Sequence, residues 1–348
     1  MQNRRLCILS GVLAFFFLCF FNPVSGASKD KPIELKASST NPSQLAISKL
    51  VQEWGKKVEE RSGGKVKITF YWAGELATYR DNYRIIQSGV ADLGSWTASL
   101  IMGAQPLHEF MSLPFMGWDN MFTINKIYHD LRKKFPELDQ EFKGLRCLFT
   151  HPMPGTQIHM TKKSVRLPQD LQGEKVLGGA NLNPIIELAG GVPVDKAPQD
   201  WYLSIQKGLV NGIFTHWAAV DGYKLTELFS SHTEMGDSGI STAMMGWYMN
   251  EKSWNKLPPE AKKAFIDLKD WIQQEMIKTD LKLIDQGREN ARHMGHEIIQ
   301  CTKEEIKAWA DITKPIRDQW IAETEKKGLP ARDLYDEVQR LIKQYSTN

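Results

Sequence analysis

The sequence predicts an α/β fold built as two lobes, with strands crossing between the lobes and a long C-terminal helix spanning both. Three observations carry this. Helical and strand periodicities alternate from residue 41 to residue 215, the pattern of layered α/β units with mainly parallel strands. After an apolar strand-like run at 243–250 the pattern turns helical, and a long charged helix this late in the chain suits a strut across two lobes better than a separate domain. No internal repeat or low-complexity linker interrupts the chain, so a lobe boundary is expected to be made by crossing strands and not by a flexible tether.

The elements follow in order. Ile47, Leu50, Val51, Trp54 and Val58 share one face at helical spacing, and Ser62-Gly63-Gly64 stops that helix. Val66, Ile68 and Phe70 alternate with polar residues as in a strand. A helix is expected from about Thr78 to Ser88 and a strand over 89–94. Strands are expected again at 145–150, 175–178 and 212–215, with a helix at 201–207. The long helical stretch begins beyond Leu257-Pro258-Pro259-Glu260; Thr302 and Glu305 form a capping box ahead of a further helix, and Pro330 opens the last. Residues 27–152 with about 241–280 are expected to form the first lobe, and 153–240 with about 281–348 the second.

Residues 1–26 read as a cleavable export signal: Arg4 and Arg5, an apolar run from Leu6 to Phe21, then Pro23 and small residues. The run is shorter than the ~20 residues a membrane span needs. Phe16, Phe17 and Leu18 before Cys19 are too large for lipoprotein processing. The expected location is therefore the periplasm, without membrane insertion after cleavage. Removing the signal takes away two basic residues and no carboxylate, leaving a net charge of about +1, which argues against nucleic acid as a partner. Cys147 and Cys301 remain, and the sequence leaves open whether they bond.

Enzyme signatures are scarce: no nucleophile elbow, phosphate-binding glycine loop or zinc-protease motif occurs, and no cofactor or metal is expected. His293 and His296 stand at i, i+3 but lack an acidic or cysteine partner, and read as exposed histidines. Glu59-Glu60 and Glu304-Glu305 read as solvated helix faces. The tryptophans say more. Of eleven, Trp72, Trp96 and Trp217 stand at the ends of expected strands, where open α/β sheets bind ligands. Each reads equally well as core, and their shared position is what suggests a stacking pocket.

Ser62-Gly63-Gly64-Lys65-Val66, Gly74-Glu75-Leu76 and Gly89-Val90-Ala91-Asp92-Leu93 resemble the first lobe of the solute-binding proteins of tripartite ATP-independent periplasmic (TRAP) transporters. The resemblance continues through 168–176, 202–212 and 249–258, in order over nearly all of the exported chain. It implies two lobes enclosing one small ligand, with the membrane subunits of a transporter as partners. In most members an arginine follows the Lys-Val/Ile pair and clamps a carboxylate with its planar fork; this chain has Leu177 there. A second arginine, found in some members, falls at Gln157, and an asparagine that often helps bind acids falls at Thr215.

The usual small aliphatic carboxylate is therefore not the expected ligand. An aromatic acid or amino acid, indole-like or otherwise, is expected instead, stacking on Trp72, Trp96 or Trp217 while Gln157, Thr215, His159 or His216 hold its polar end. The alternative is a small amine such as an ethanolamine-like compound, boxed by aromatic rings against Glu75. A periplasmic enzyme on the same scaffold, with His159, His216 and Glu75 as its loose candidates, is the further alternative. A detached sensor domain is another.

Overall fold

The computed structural model describes residues 31–98 and 103–346; the expected export signal at 1–26 lies outside them. The chain begins with β1 (Ile33–Ser38), α1 (Ala46–Arg61), β2 (Val66–Tyr71), α2 (Tyr79–Ser88) and β3 (Leu93–Thr97). It continues through α3 (Met121–Lys134), α4 (Glu137–Gln140) and β4 (Leu145–Pro152). Helix α1 forms because Val51, Trp54 and Val58 give it one buried face. It ends where Gly63 and Gly64 take the left-handed backbone (φ 68° and 74°) that a side chain disfavours. The strand expected at 89–94 starts later, because Gly89 (φ 83°) closes α2 and the turn occupies the residues before Leu93.

A second group of elements follows: β5 (Gln157–Met160), β6 (Lys175–Leu177), α5 (Asn183–Leu188), β7 (Val192–Val194), α6 (Trp201–Gln206), β8 (Gly212–Thr215), α7 (Trp217–Gly222) and β9 (Ser231–Glu234). The chain then returns as β10 (Met244–Asn250), α8 (Glu251–Lys256), α9 (Pro259–Asp267) and α10 (Lys269–His293), and ends with β11 (Glu297–Gln300), α11 (Lys303–Glu325) and α12 (Ala331–Ser346). The expected capping box is present: Thr302 N–H donates to Glu305 at 2.8 Å and Glu305 N–H to the Thr302 hydroxyl at 3.2 Å.

Two sheets define two lobes, in the orders β2-β1-β3-β10-β4 and β11-β9-β5-β8-β6-β7. Parallel pairs are interrupted by β10, antiparallel to β3 and β4, and by β5, antiparallel to β8 and β9. These are the first strands after each crossing. A strand arriving from the other lobe starts at the shared edge and runs away from it, opposite to neighbours that run toward it. The crossing segments are bonded to one another by Met153 N–H to the Ala243 carbonyl (2.7 Å) and Thr156 N–H to the Ser241 carbonyl (2.9 Å). Glycine is needed here: a Cβ on Gly155 would lie 2.3 Å from the Ser238 carbonyl carbon, and one on Gly239 would lie 2.1 Å from the Thr156 carbonyl oxygen.

Helix α10 packs on α1, α3 and β4 in the first lobe and on α7 and β11 in the second. The first core gathers Trp54, Phe149, Trp247 and Phe265; the second gathers Ile158, Val176, Phe214 and Trp309. The C-terminal helix α12 packs on α3, so its Leu334, Val338 and Leu341 join a cluster with Tyr128 and Leu131 of the first lobe. Residues 281–348 had been expected with the second lobe; an amphipathic helix goes where its apolar face finds cover, and strand connectivity does not decide that. Both Cys147 and Cys301 are free thiols. Among the described residues no helix is long and apolar enough to cross a membrane.

Candidate ligand-binding site

The strand ends that face the crossings are the place to look for a ligand. In the second sheet the side chains alternate. Ile158, Met160, Val176 and Phe214 enter one core, while Gln157, His159, Leu177, Ile213 and Thr215 share the opposite face, Gln157 beside Thr215 and Leu177 beside Ile213. Leu177 is fully buried with Ile205, Val210, Ile213, Val220, Leu225 and Phe229. Both ends of the Gln157 amide are engaged: its nitrogen donates to the Gly236 carbonyl and its oxygen accepts from Met235 N–H, each at 2.8 Å.

The His159 ring lies edge-on to Trp217, centroids 4.9 Å apart. Its Nε2 is 3.2 Å from the Thr215 carbonyl, which only accepts, so Nε2 carries the proton and Nδ1 is the acceptor. Nδ1 of His232, 2.8 Å away, then donates to it, and Nε2 of His232 accepts from Nδ1 of His296 at 3.1 Å. The column requires neutral rings of fixed tautomer. Burial lowers His159 to about 3 and His232 to about 2, the latter helped by its histidine neighbours. His216 caps α7, its Nδ1 accepting from Ala219 N–H at 3.1 Å, and desolvation lowers it to about 4.

Trp217 is 1 % exposed, and its indole N–H donates to Glu234 at 2.6 Å. The same buried carboxylate accepts from Arg288 Nε at 2.6 Å and from the Gln300 amide. Arg288 comes from α10, one residue after Gly287, where a Cβ would approach the Trp217 carbonyl oxygen to 3.2 Å. The absence of a side chain there brings the helix against the indole.

The first sheet presents a different row. Trp72, half-buried just after β2, stacks on Phe70 (5.2 Å, 14°) and meets Trp247 edge-on at 6.5 Å. Glu75 is exposed in the turn after it, its N–H bonded to the Trp72 carbonyl. Trp96 is buried on the other face of the sheet, against Tyr79 and Tyr83, its N–H donating to Gln105 at 3.0 Å. Register places Thr97, Met245 and His151 side by side on the Trp247 face. Asp280 of α10 points there, its Oδ2 3.9 Å from His151 Nε2.

The structure thus gathers Gln157, His159, Leu177, Thr215, His216 and Trp217 in the second lobe, with Trp72 and Glu75 at the first sheet's edge, and sets Trp96 apart. Sequence reasoning passed over Glu234, Arg288, His151 and Asp280. For Asp280 a signal existed: Ile272, Met276 and Asp280 repeat every four residues, a carboxylate in line with two apolar side chains. Two surface cavities of about 300 and 490 Å³ share Arg132 and Asp139, away from these rows. Among the described residues no cluster of three His, Cys, Asp or Glu is arranged to hold a metal ion.

The sequence profile of bacterial extracellular solute-binding protein family 7 matches residues 37–324, and the chain belongs to that family. Among curated relatives, the uncharacterized protein YiiZ of Salmonella typhimurium is 23% identical over 45% of this chain, a match spanning about half (49%) of YiiZ. A solute-binding protein of Albidiferax ferrireducens is 22% identical over 90% of this chain and 93% of its own length. Among solved structures, a marine metagenome TRAP solute-binding protein specific for aromatic acids, with metahydroxyphenylacetate, superposes with a TM-score of 0.82 (22% identity; 90% of this chain, 99% of that one). A TRAP solute-binding protein of Rhodoferax ferrireducens with copurified benzoate gives 0.81 (22%; 90% and 99%). One from Chromohalobacter salexigens with D-glucuronate gives 0.79 (17%; 88% and 99%). At these identities the likeness is one of fold.

Proposed function

We propose that this protein is the exported receptor of a TRAP transporter and that it captures an aromatic acid between its lobes. The observation that carries the ligand class is Trp72: a half-buried indole, backed by Phe70 and Trp247, at the carboxyl end of the first sheet. An indole held on one side by two other rings offers its remaining surface as a rigid stacking platform. Two further facts support the reading. Leu177 and Gln157 carry no charge, and both are engaged within their lobe, so the arginine clamp implied by the resemblance has no counterpart at these positions. Structural neighbours of the same fold hold benzoate and hydroxyphenylacetate. Export through the segment 1–26 and handover to membrane subunits complete the role. Ligand is held by lobe closure, a population shift toward the state with more contacts, and is released unchanged.

Thermal-shift screening of benzoate, hydroxyphenylacetate, indole-3-acetate, aliphatic dicarboxylates and small amines tests this. Stabilisation by the aromatic acids is expected. Stabilisation by aliphatic dicarboxylates alone removes the ligand class, and chemical turnover of the bound acid removes the receptor role.

A further inference from the structure

Resting on the aromatic-acid reading, we infer that Asp280 and His151 form the subsite that receives the ligand carboxylate, in place of the arginine clamp that the resemblance implies at Leu177 and Gln157. Both side chains are buried, at 4 % and 1 % exposure. They face each other across 3.9 Å, too long for a hydrogen bond and wide enough for an oxygen to bridge them obliquely. Neither facing atom makes a hydrogen bond among the described residues: His151 Nε2 and Asp280 Oδ2 meet only each other at 3.9 Å, and Nδ1, on the far side of the ring, is also without a partner. Buried polar groups favour a hydrogen-bonding partner, and what sets this pair apart is that the two side chains face each other across a gap that a polar guest fits.

Position agrees. Register sets His151 in the row of Met245 and Thr97, on the sheet face that carries Trp247 and Trp72. Asp280 lies on α10, the element that packs on both lobes.

The charge state fits a carboxylate guest. Burial, with no other cause opposing it, raises Asp280 to about 8 and lowers His151 to about 4. At neutral pH the carboxyl keeps its proton and donates it in a hydrogen bond, and the neutral imidazole donates its one N–H. One carboxylate oxygen takes each, and no proton need be transferred. An acid held neutral by an apolar site is a known way to stabilise an oxyanion. A cationic guest would instead ionise Asp280 and pair with it.

The test is calorimetric titration of benzoate into the wild type, Asp280→Asn, Asp280→Leu and His151→Phe, at about pH 7 and about pH 9.5. At neutral pH, Asp280→Leu and His151→Phe are expected to bind roughly tenfold to a hundredfold more weakly, and Asp280→Asn to retain binding. At the higher pH the wild type is expected to lose affinity, because an ionised Asp280 repels the guest, while Asp280→Asn holds its affinity. Equal binding by the wild type and Asp280→Leu, or identical pH profiles for the wild type and Asp280→Asn, overturns the subsite and leaves the receptor reading standing. Phenethylamine binding that tightens as pH rises through about 8 and is lost in Asp280→Asn assigns the pair to a cation and overturns it too. Failure of every aromatic acid to bind the wild type removes the proposed function, and the subsite with it.

Discussion

The two sheets end differently. At the edge of the second, the Gln157 amide, the Glu234 carboxylate, the Trp217 indole and the His159 imidazole are all engaged by partners in their own lobe or on α10. At the edge of the first, His151 and Asp280 are equally buried and have only each other, at a distance that bonds neither. One wall is a finished network that fixes shape. The other holds unspent hydrogen-bonding capacity, the property a site requires if a guest is to be worth more than the water it displaces. Sequence reasoning put its candidates mainly on the finished wall.

Substitutions on that wall should therefore register as folding defects. Trp217→Ala, which empties a fully buried indole site and leaves Glu234 short of a donor, is expected to cost about 3–5 kcal/mol in urea denaturation. Glu234→Gln removes the charge facing Arg288 and is expected to cost about 3 kcal/mol by the same measurement, the low end for a broken buried pair because Asp237 and Asp285 stay within 3.6 Å of the guanidinium.

Titration should separate the buried histidines of both walls from Asp280, since His151 of the first wall is lowered to about 4, like those of the second. His159, His216 and His232 have folded values of about 3, 4 and 2 against an ordinary 6.5, so the unfolded chain takes up protons that the folded chain refuses. Their stabilising contribution is complete above about pH 6.5 and is lost as pH falls through these values, and the melting temperature should drop over that range. Asp280 has the opposite sign. Raised from 3.8 to about 8, its contribution is complete below 3.8 and is lost as pH rises through about 8, so Asp280→Asn should flatten the alkaline decline alone.

Trp72→Ala, on the open wall, is expected to cost only about 1–2 kcal/mol, since the ring is only partly buried, yet to weaken benzoate binding roughly tenfold in calorimetry. The smallest expected effect is that of reductant. With both cysteines free, dithiothreitol should leave the melting temperature unchanged.

Much of the fold was legible because its periodicities are strong. Strand β8 lies where alternation put it, Gly212–Thr215, and β10 within one residue of its expected start. The antiparallel insertion of β5 and β10 was not legible, since pairing partners are set by where the chain enters a sheet and not by the alternation within a strand. The site was harder for a related reason. Strand ends pointed to Trp217, but its N–H bond to Glu234 and the approach of α10 at Gly287 join residues far apart in sequence. The Asp280–His151 pair spans 129 positions, and only the helical spacing of Asp280 hinted at it.

The insertion of β10 also governs how this protein can come into being. The first sheet takes four strands from residues 33–152 and its bridging fourth position from residues 244–250, so β3 and β4 are not joined through β10 until five strands of the second sheet, β5 to β9, have been made. A nascent chain of some 240 residues holds a sheet in two pieces, with the Trp247 site in its core empty. Completion needs contacts of long sequence separation, which form slowly. A polypeptide that cannot complete its first lobe before β10 has emerged stays incompletely folded while it is still being made, and an incomplete lobe is easier to thread through a narrow channel than a finished one.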